Sequence, residues 1–193
     1  RSSGTLARFA SADPGLFLAR YGVDDFVLYV GRIEPRKNVL GLIRAVRRGG
    51  WPLVVIGQVV PGFERYGERC RKAGRDAVRW LGRIEHDDPR LASAYAAARV
   101  LALPSWFETP GLAALEAGLA GCPVVVTPFG SAREYFDDLA EYARPDRPAE
   151  IATAIATAWE RGRGPELAEH VRARFLWSQV ALETAEAYAR VAP

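Results

Sequence analysis

The sequence contains no methionine and only two cysteines and two histidines. Cys70 and Cys122 lack metal-ligand spacing and His86 and His170 lie far apart, so a zinc centre has too few candidate donors. Two separated cysteines read as free buried thiols of a reducing compartment and not as a disulfide framework. Asp-x-Asp occurs nowhere, so a carboxylate pair holding Mg²⁺ or Mn²⁺ is not expected. No apolar run approaches the roughly 18 residues of a membrane span, and nothing reads as a signal peptide. The absent methionine and the opening Arg-Ser-Ser-Gly point to a piece of a longer protein.

What is present is ordinary globular material. The 193 residues are 49% apolar and 25% charged, enough for one well-buried core. The net charge is +3. So small and dispersed an excess suits an anionic ligand but supplies no face for nucleic acid.

Short apolar runs alternate with helical stretches. Strands are expected at Phe26–Val30, Leu53–Ile56, Val78–Leu81, Val100–Leu103 and Pro123–Val126, with a sixth at Ala140–Ala143. Runs of this length, apolar on both faces and bounded by Gly or Pro, suit buried parallel strands. Helices are expected first with Asn38 as cap and Leu40, Ile43 and Val46 inward, and then at 63–73, after Asp88-Pro89, at 112–120, 150–160 and 165–174, and from Ser178 to Val191. Residues 1–24 read as a lead-in with a short helix near Leu16–Tyr21, and residues 25–193 as one α/β domain with a doubly wound, Rossmann-like parallel sheet of about six strands. Four tryptophans, Trp51, Trp80, Trp106 and Trp159, read as packing residues, and His86-Asp87 as half of a catalytic pair without a nucleophile nearby.

In such sheets ligands bind at the carboxyl ends of the strands. The loop after the first strand is Gly31-Arg-Ile-Glu-Pro-Arg-Lys-Asn38, with three cations and a helix start at Asn38. Arg offers a planar fork for phosphate oxygens, Lys a point charge, and a helix N-terminus free N–H groups. The loop after the fourth strand places Glu108 before a helix and Glu116 inside it, with Gly111 and Leu112 between them. A carboxylate can accept both hydroxyls of a vicinal diol, and the helix-start amides can seat a diphosphate. Either glutamate alone is better explained as a complement to the helix dipole. The case for a site rests on the combination.

That combination resembles a known family. Gly31-Arg32…Lys37, Leu103-Pro-Ser, Glu108…Gly111-Leu112…Leu115-Glu116-Ala117, Gly121-Cys-Pro-Val-Val-Val, Gly130…Glu134 and Trp177-Ser178…Tyr188 are similar to the donor-binding, C-terminal domain of group 1 retaining glycosyltransferases with the GT-B fold. The resemblance covers roughly residues 25–191. It implies that Arg32 and Lys37 grip the diphosphate of a nucleotide-diphosphate sugar and that Glu108 contacts the transferred sugar. Glu116 would hold the ribose, and Gly31, Thr109, Gly111 and Leu112 would line the donor. Arg83 and Ile84 would lie near the base. It further implies metal-independent transfer to a saccharide or lipid-linked acceptor, and an acceptor domain that precedes residue 1. The implied location is cytoplasmic, with any membrane contact made through the missing domain. Two departures stand out: Glu-Thr-Pro-Gly replaces the common Glu-Gly-Phe-Gly, so that Pro110 offers no N–H, and Ser131 replaces the second of two common glycines. A sugar-nucleotide epimerase of GT-B type and a non-catalytic nucleotide-binding module remain open as alternatives.

Overall fold

Six short strands carry the core: β1 Val27–Val30, β2 Leu53–Ile56, β3 Val78–Gly82, β4 Val100–Leu103, β5 Val124–Val126 and β6 Glu141–Tyr142. The computed structural model describes residues 8–109 and 111–176, with 181, 184–185 and 188–190. Pro110, Trp177, Ser178 and much of the expected terminal helix lie outside the described residues, as do the first seven residues of the lead-in.

All pairings are parallel and the order is β3-β2-β1-β4-β5-β6. The chain winds outward from β1 to one edge, then returns to β4 and winds to the other. The reversal leaves a crevice between β1 and β4, where no crossover runs over the strand ends. The central strands β2, β4 and β5 are buried throughout, because helices cover both faces of the sheet. Strands β3 and β6 are the edges. Arg79 of β3 faces solvent, and β6 shortens to two paired residues because it has one neighbour.

Eight helices are described: α1 Gly15–Tyr21, α2 Val39–Gly49, α3 Glu64–Gly74, α4 Pro89–Ala97, α5 Leu112–Leu119, α6 Ala132–Phe136, α7 Pro148–Arg161 and α8 Pro165–Arg174. Helix α2 packs against α3 and α7, while α1 packs on α4 and α8 on α5. The amphipathic pattern of α2 is clear: Val39, Leu42, Ile43 and Val46 are buried and Arg44, Arg47 and Arg48 face away. Each such fully buried aliphatic side chain contributes roughly 1.5–3 kcal/mol. Asp88 caps α4 as its sequence position predicts, accepting from the Arg90 amide at 2.9 Å with Pro89 in the first turn. The five-residue α6 was not legible, since it is too short to show a helical period.

The lead-in does more than lead in. Residues 8–10 form a helical turn, and Phe9 and Phe17 are fully buried in the same core as β1. The structural unit therefore reaches back before residue 25. Both cysteines are buried and free. Trp51 and Trp159 pack with ring centroids 6.1 Å apart, but Trp106 is about half exposed and is not a core residue. Among the described residues, no helix is long and apolar enough to cross a membrane.

Candidate functional site

The loops after β1 and β4 meet at the crevice between those strands, where they enclose a cleft of about 480 Å³. Its walls are Val30, Gly31, Arg32, Arg36, Lys37, Leu103, Glu108, Thr109, Gly111, Leu112 and Ala113. Seven of the residues singled out from sequence, Gly31, Arg32, Lys37, Glu108, Thr109, Gly111 and Leu112, come together here. Arg83, Ile84 and Glu116 do not line this wall. Arg83 is exposed and paired with Glu85 at 2.8 Å, and Ile84 packs half-buried against the core.

The β1 loop is stapled in place. After Gly31 the chain makes a 3-10 turn at Pro35–Lys37, with Pro35 setting the first dihedral. The Tyr29 hydroxyl donates back to the Arg32 carbonyl at 2.7 Å. Burial, reinforced by the Glu108 charge, holds that phenol well above its ordinary range, so it remains a donor. Arg36 Nη1 donates to the Phe107 carbonyl at 3.0 Å and the Trp106 amide donates to the Arg36 carbonyl at 2.9 Å. Arg36 thus binds one loop to the other. Arg32, largely exposed and 3.3 Å from Glu34, lines the cleft with donors to spare.

Asn38 departs from expectation. It begins α2, but in the left-handed conformation (φ 53°) and without a side-chain cap. Its amide instead donates to the Pro104 carbonyl at 3.0 Å and the Pro145 carbonyl at 2.8 Å, buried between the loops that follow β4 and β6. The anion seat expected at the start of α2 is also partly filled, because the Leu40 amide donates to the Tyr66 hydroxyl at 3.1 Å.

The start of α5 is different. Gly111 precedes it in the left-handed region (φ 59°), a conformation that costs glycine little. Among the described residues no side chain caps the helix, and its first amides, at Leu112 and Ala113, lie beside the cleft these residues line.

Glu108 and Glu116 flank this helix start, and both are buried at 5% exposure. Neither lies in the first turn of α5, which carries no acidic residue, so complementing the helix dipole does not account for them. Glu108 sits on an isolated parallel bridge to Gly130. A side chain at Gly130 would place its Cβ 2.1 Å from the Glu108 carbonyl oxygen, and its φ is +95°, so only glycine fits. Ser131, in contrast, has φ −92° and needs no glycine. The Glu108 carboxylate accepts from Lys37 Nζ at 2.6 Å and from the Ser105 hydroxyl at 2.5 Å, all on Oε1. Its other oxygen, Oε2, keeps acceptor capacity at the cleft wall.

Glu116 lies one helical turn beyond Leu112. Oε2 accepts from the buried Tyr95 hydroxyl at 2.8 Å, and Oε1 lies 2.7 Å from His86 Nε2. Burial first, and then the charge and hydrogen bond of Glu116, raise the Tyr95 phenol well above its ordinary range. His86 is the site residue that sequence reasoning set aside. The useful signal was its position just past the carboxyl end of β3, and not its neighbour Asp87.

The fold and site define an open, doubly wound α/β domain whose switch-point cleft joins cations, the start of α5 and one buried carboxylate, Glu108, with a second, Glu116, buried one turn further along the helix. Residues 18–174 match the family model "Glycosyl transferases group 1", and the chain belongs to that family. It is 32% identical over 178 residues to O-antigen chain mannosyltransferase B of Escherichia coli, covering 84% of this chain and 45% of that protein. Among solved structures, sucrose-phosphate synthase from Thermosynechococcus elongatus superposes with a TM-score of 0.77 at 28% identity, covering 93% of this chain and 51% of that one. Anabaena Alr3699/HepE, solved in complex with UDP and glucose, superposes with a TM-score of 0.79 at 23% identity, covering 93% and 52%. The chain thus spans about half the length of the proteins it matches. The sheet and its flanking helices are those of the C-terminal domain of the GT-B fold.

Proposed function

We propose that this domain binds the nucleotide-diphosphate sugar donor of a retaining, metal-independent glycosyltransferase. The observation that carries the reading is the partly buried Lys37–Glu108 pair beside the start of α5, at the switch point of the sheet. Arg32, Lys37 and the amides of Leu112 and Ala113 would hold the diphosphate. Glu108 would accept hydroxyls of the transferred sugar through its free oxygen, and Glu116 would hold the ribose. Breaking the sugar–phosphate bond places negative charge on the departing diphosphate. Fixed cations and helix dipoles in a water-poor cleft stabilise that charge most as it develops, the task a divalent metal performs elsewhere. The HepE complex with UDP and glucose supports this class of ligand by analogy of fold.

The acceptor, a saccharide or lipid-linked saccharide, would enter from a second domain, and transfer would occur between the two. The present chain should therefore bind donor and transfer poorly or not at all. Calorimetry with a panel of nucleoside diphosphates and their sugar conjugates tests this. Glu116→Ala should weaken the diphosphate and its conjugate alike, whereas Glu108→Ala should weaken only the conjugate. Equal losses from both variants, or robust transfer by this chain alone, would sink the assignment.

A further inference from the structure

The side chains around Glu116 draw in a part of the chain with no obvious place in a binding site. We infer that Arg8, Phe9 and His86 form a positioning shell that fixes the Glu116 carboxylate for the ribose diol; the inference rests on the reading of Glu116 proposed above.

A carboxylate offers about four lone-pair sites, two on each oxygen. Tyr95 occupies one on Oε2 and His86 one on Oε1. One site remains on each oxygen, the arrangement that two neighbouring hydroxyls require. The value of Glu116 as a diol acceptor therefore depends on both inner donors staying where they are.

Arg8 determines what His86 can do. Its Nη2 lies 3.0 Å from His86 Nδ1 and also donates to the His86 backbone carbonyl. A guanidinium has donors only, so Nδ1 must be the lone-pair nitrogen and the ring proton must sit on Nε2. In that tautomer His86 donates to Glu116. The two hydrogens of one Arg8 nitrogen thus set both the tautomer of the ring and the path of its backbone.

Phe9 wedges the other side. It is fully buried, 5.7 Å from the His86 ring and 5.5 Å from the Tyr95 ring, the latter nearly edge-on at 75°. It therefore touches both side chains that hold Glu116. The Arg8 guanidinium lies over the Phe9 ring at 4.8 Å, which orients its nitrogen edge toward His86. The His86 side chain is itself 53% exposed, so without Arg8 and Phe9 little would restrict it to one rotamer. Arg8, Phe9 and His86 are not among the residues that line the cleft with Arg32, Lys37 and the start of α5, so the segment would act on the ribose and not on the phosphates.

The test is ribose discrimination. Calorimetry on this chain would compare UDP, GDP, ADP and CDP with their 2′,3′-dideoxy forms, carrying the tightest pair into the variants. Two hydroxyls on a fixed carboxylate should favour the ribonucleotide by about ten- to a hundredfold. Glu116→Ala should abolish the preference. Arg8→Ala and His86→Ala should each cut it about fivefold or more while leaving the dideoxy affinity unchanged. His86→Gln should restore much of it, because the glutamine amide can donate to Glu116 and accept from Arg8. Lys37→Ala should weaken both forms with the ratio intact. If Glu116→Ala abolishes the preference while Arg8→Ala and His86→Ala retain it, the positioning shell is overturned and the ribose role stands. If Arg8→Ala weakens both forms equally, the segment is merely structural and the inference is likewise overturned. If Glu116→Ala leaves the ratio unchanged, or none of the four diphosphates binds, the underlying ribose reading falls and takes this inference with it.

Discussion

Two clefts of the same volume, about 480 Å³, lie at opposite ends of the sheet. The one at the carboxyl ends of β1 and β4 has been described. The other is lined by Gly121, Cys122 and Pro123 before β5 and by Arg161 to Gly164 between α7 and α8. Both contain arginines, but they use them differently. Arg163 donates to the carbonyls of Tyr95, Ala96, Ala98 and Ala120, and Arg161 pairs with Glu141. These guanidiniums spend their donors on the protein itself, Arg163 on carbonyls that helix ends leave open and Arg161 on a carboxylate. In the carboxyl-end cleft, Arg32 meets a single carboxylate, Glu108 keeps a free oxygen and the first amides of α5 are uncapped. The difference teaches that hollow space does not define a site here; uncommitted donors and acceptors do.

The comparison can be broken most directly by exchanging roles. Lys37→Ala should weaken nucleoside diphosphate binding by about a hundredfold, since it removes a charge-assisted contact. It should also lower stability by about 3–5 kcal/mol, because Glu108 is left buried without its cation. Arg163→Ala should do the reverse: it should leave affinity unchanged while lowering stability by about 1–3 kcal/mol as carbonyls lose their partner. For a chain of this size that is a fall in Tm of about 2–12 °C, read by scanning calorimetry. Weakened ligand binding in Arg163→Ala would erase the distinction between the clefts.

Gly130→Ala sharpens the comparison within the carboxyl-end cleft. The added Cβ collides with the Glu108 backbone, so the sugar-nucleotide conjugate should lose about tenfold in affinity and the bare diphosphate much less. The same loss for both ligands would mean that Glu108 does not face the sugar.

A smaller effect concerns the thiols, one of which lines the amino-end cleft. Burial pushes Cys70 up to about 11 and Cys122 up to about 12. A thiol reagent at pH 8 should label neither in the native chain and both after denaturation. Because the folded state holds these protons above the ordinary thiol value of 9.0, stability should fall as pH rises from there toward about 12. Rapid labelling of Cys122 in the native chain would show that the amino-end cleft opens to its floor.

The strands were legible because buried β-branched runs bounded by Gly or Pro leave few other readings. The gathering of the loops was legible for a similar reason: Arg32, Lys37, Glu108 and Gly111 lie in the loops that follow β1 and β4, which the topology brings together. Three things were not. The Asn38 side chain was misassigned to its own helix, since an amide that reaches across to Pro104 and Pro145 leaves no local signature. Trp106 was placed in the core because composition cannot distinguish a rim tryptophan from a packed one. His86 reaches Glu116 across 30 positions of sequence, and Phe9 reaches it only through His86 and Tyr95, 77 and 86 positions away. No periodicity encodes such distances.

Asn38 has a consequence beyond the cleft. Its amide ties the loop after β1 to carbonyls of the loops after β4 and β6, and so makes three surface loops one mechanical part. Surface loops usually tolerate insertions. Here, lengthening the stretch between Leu103 and Glu108, or between Tyr142 and Pro148, would pull on the same joint. The spacing of those two loops is therefore constrained together, although each by itself looks free to vary.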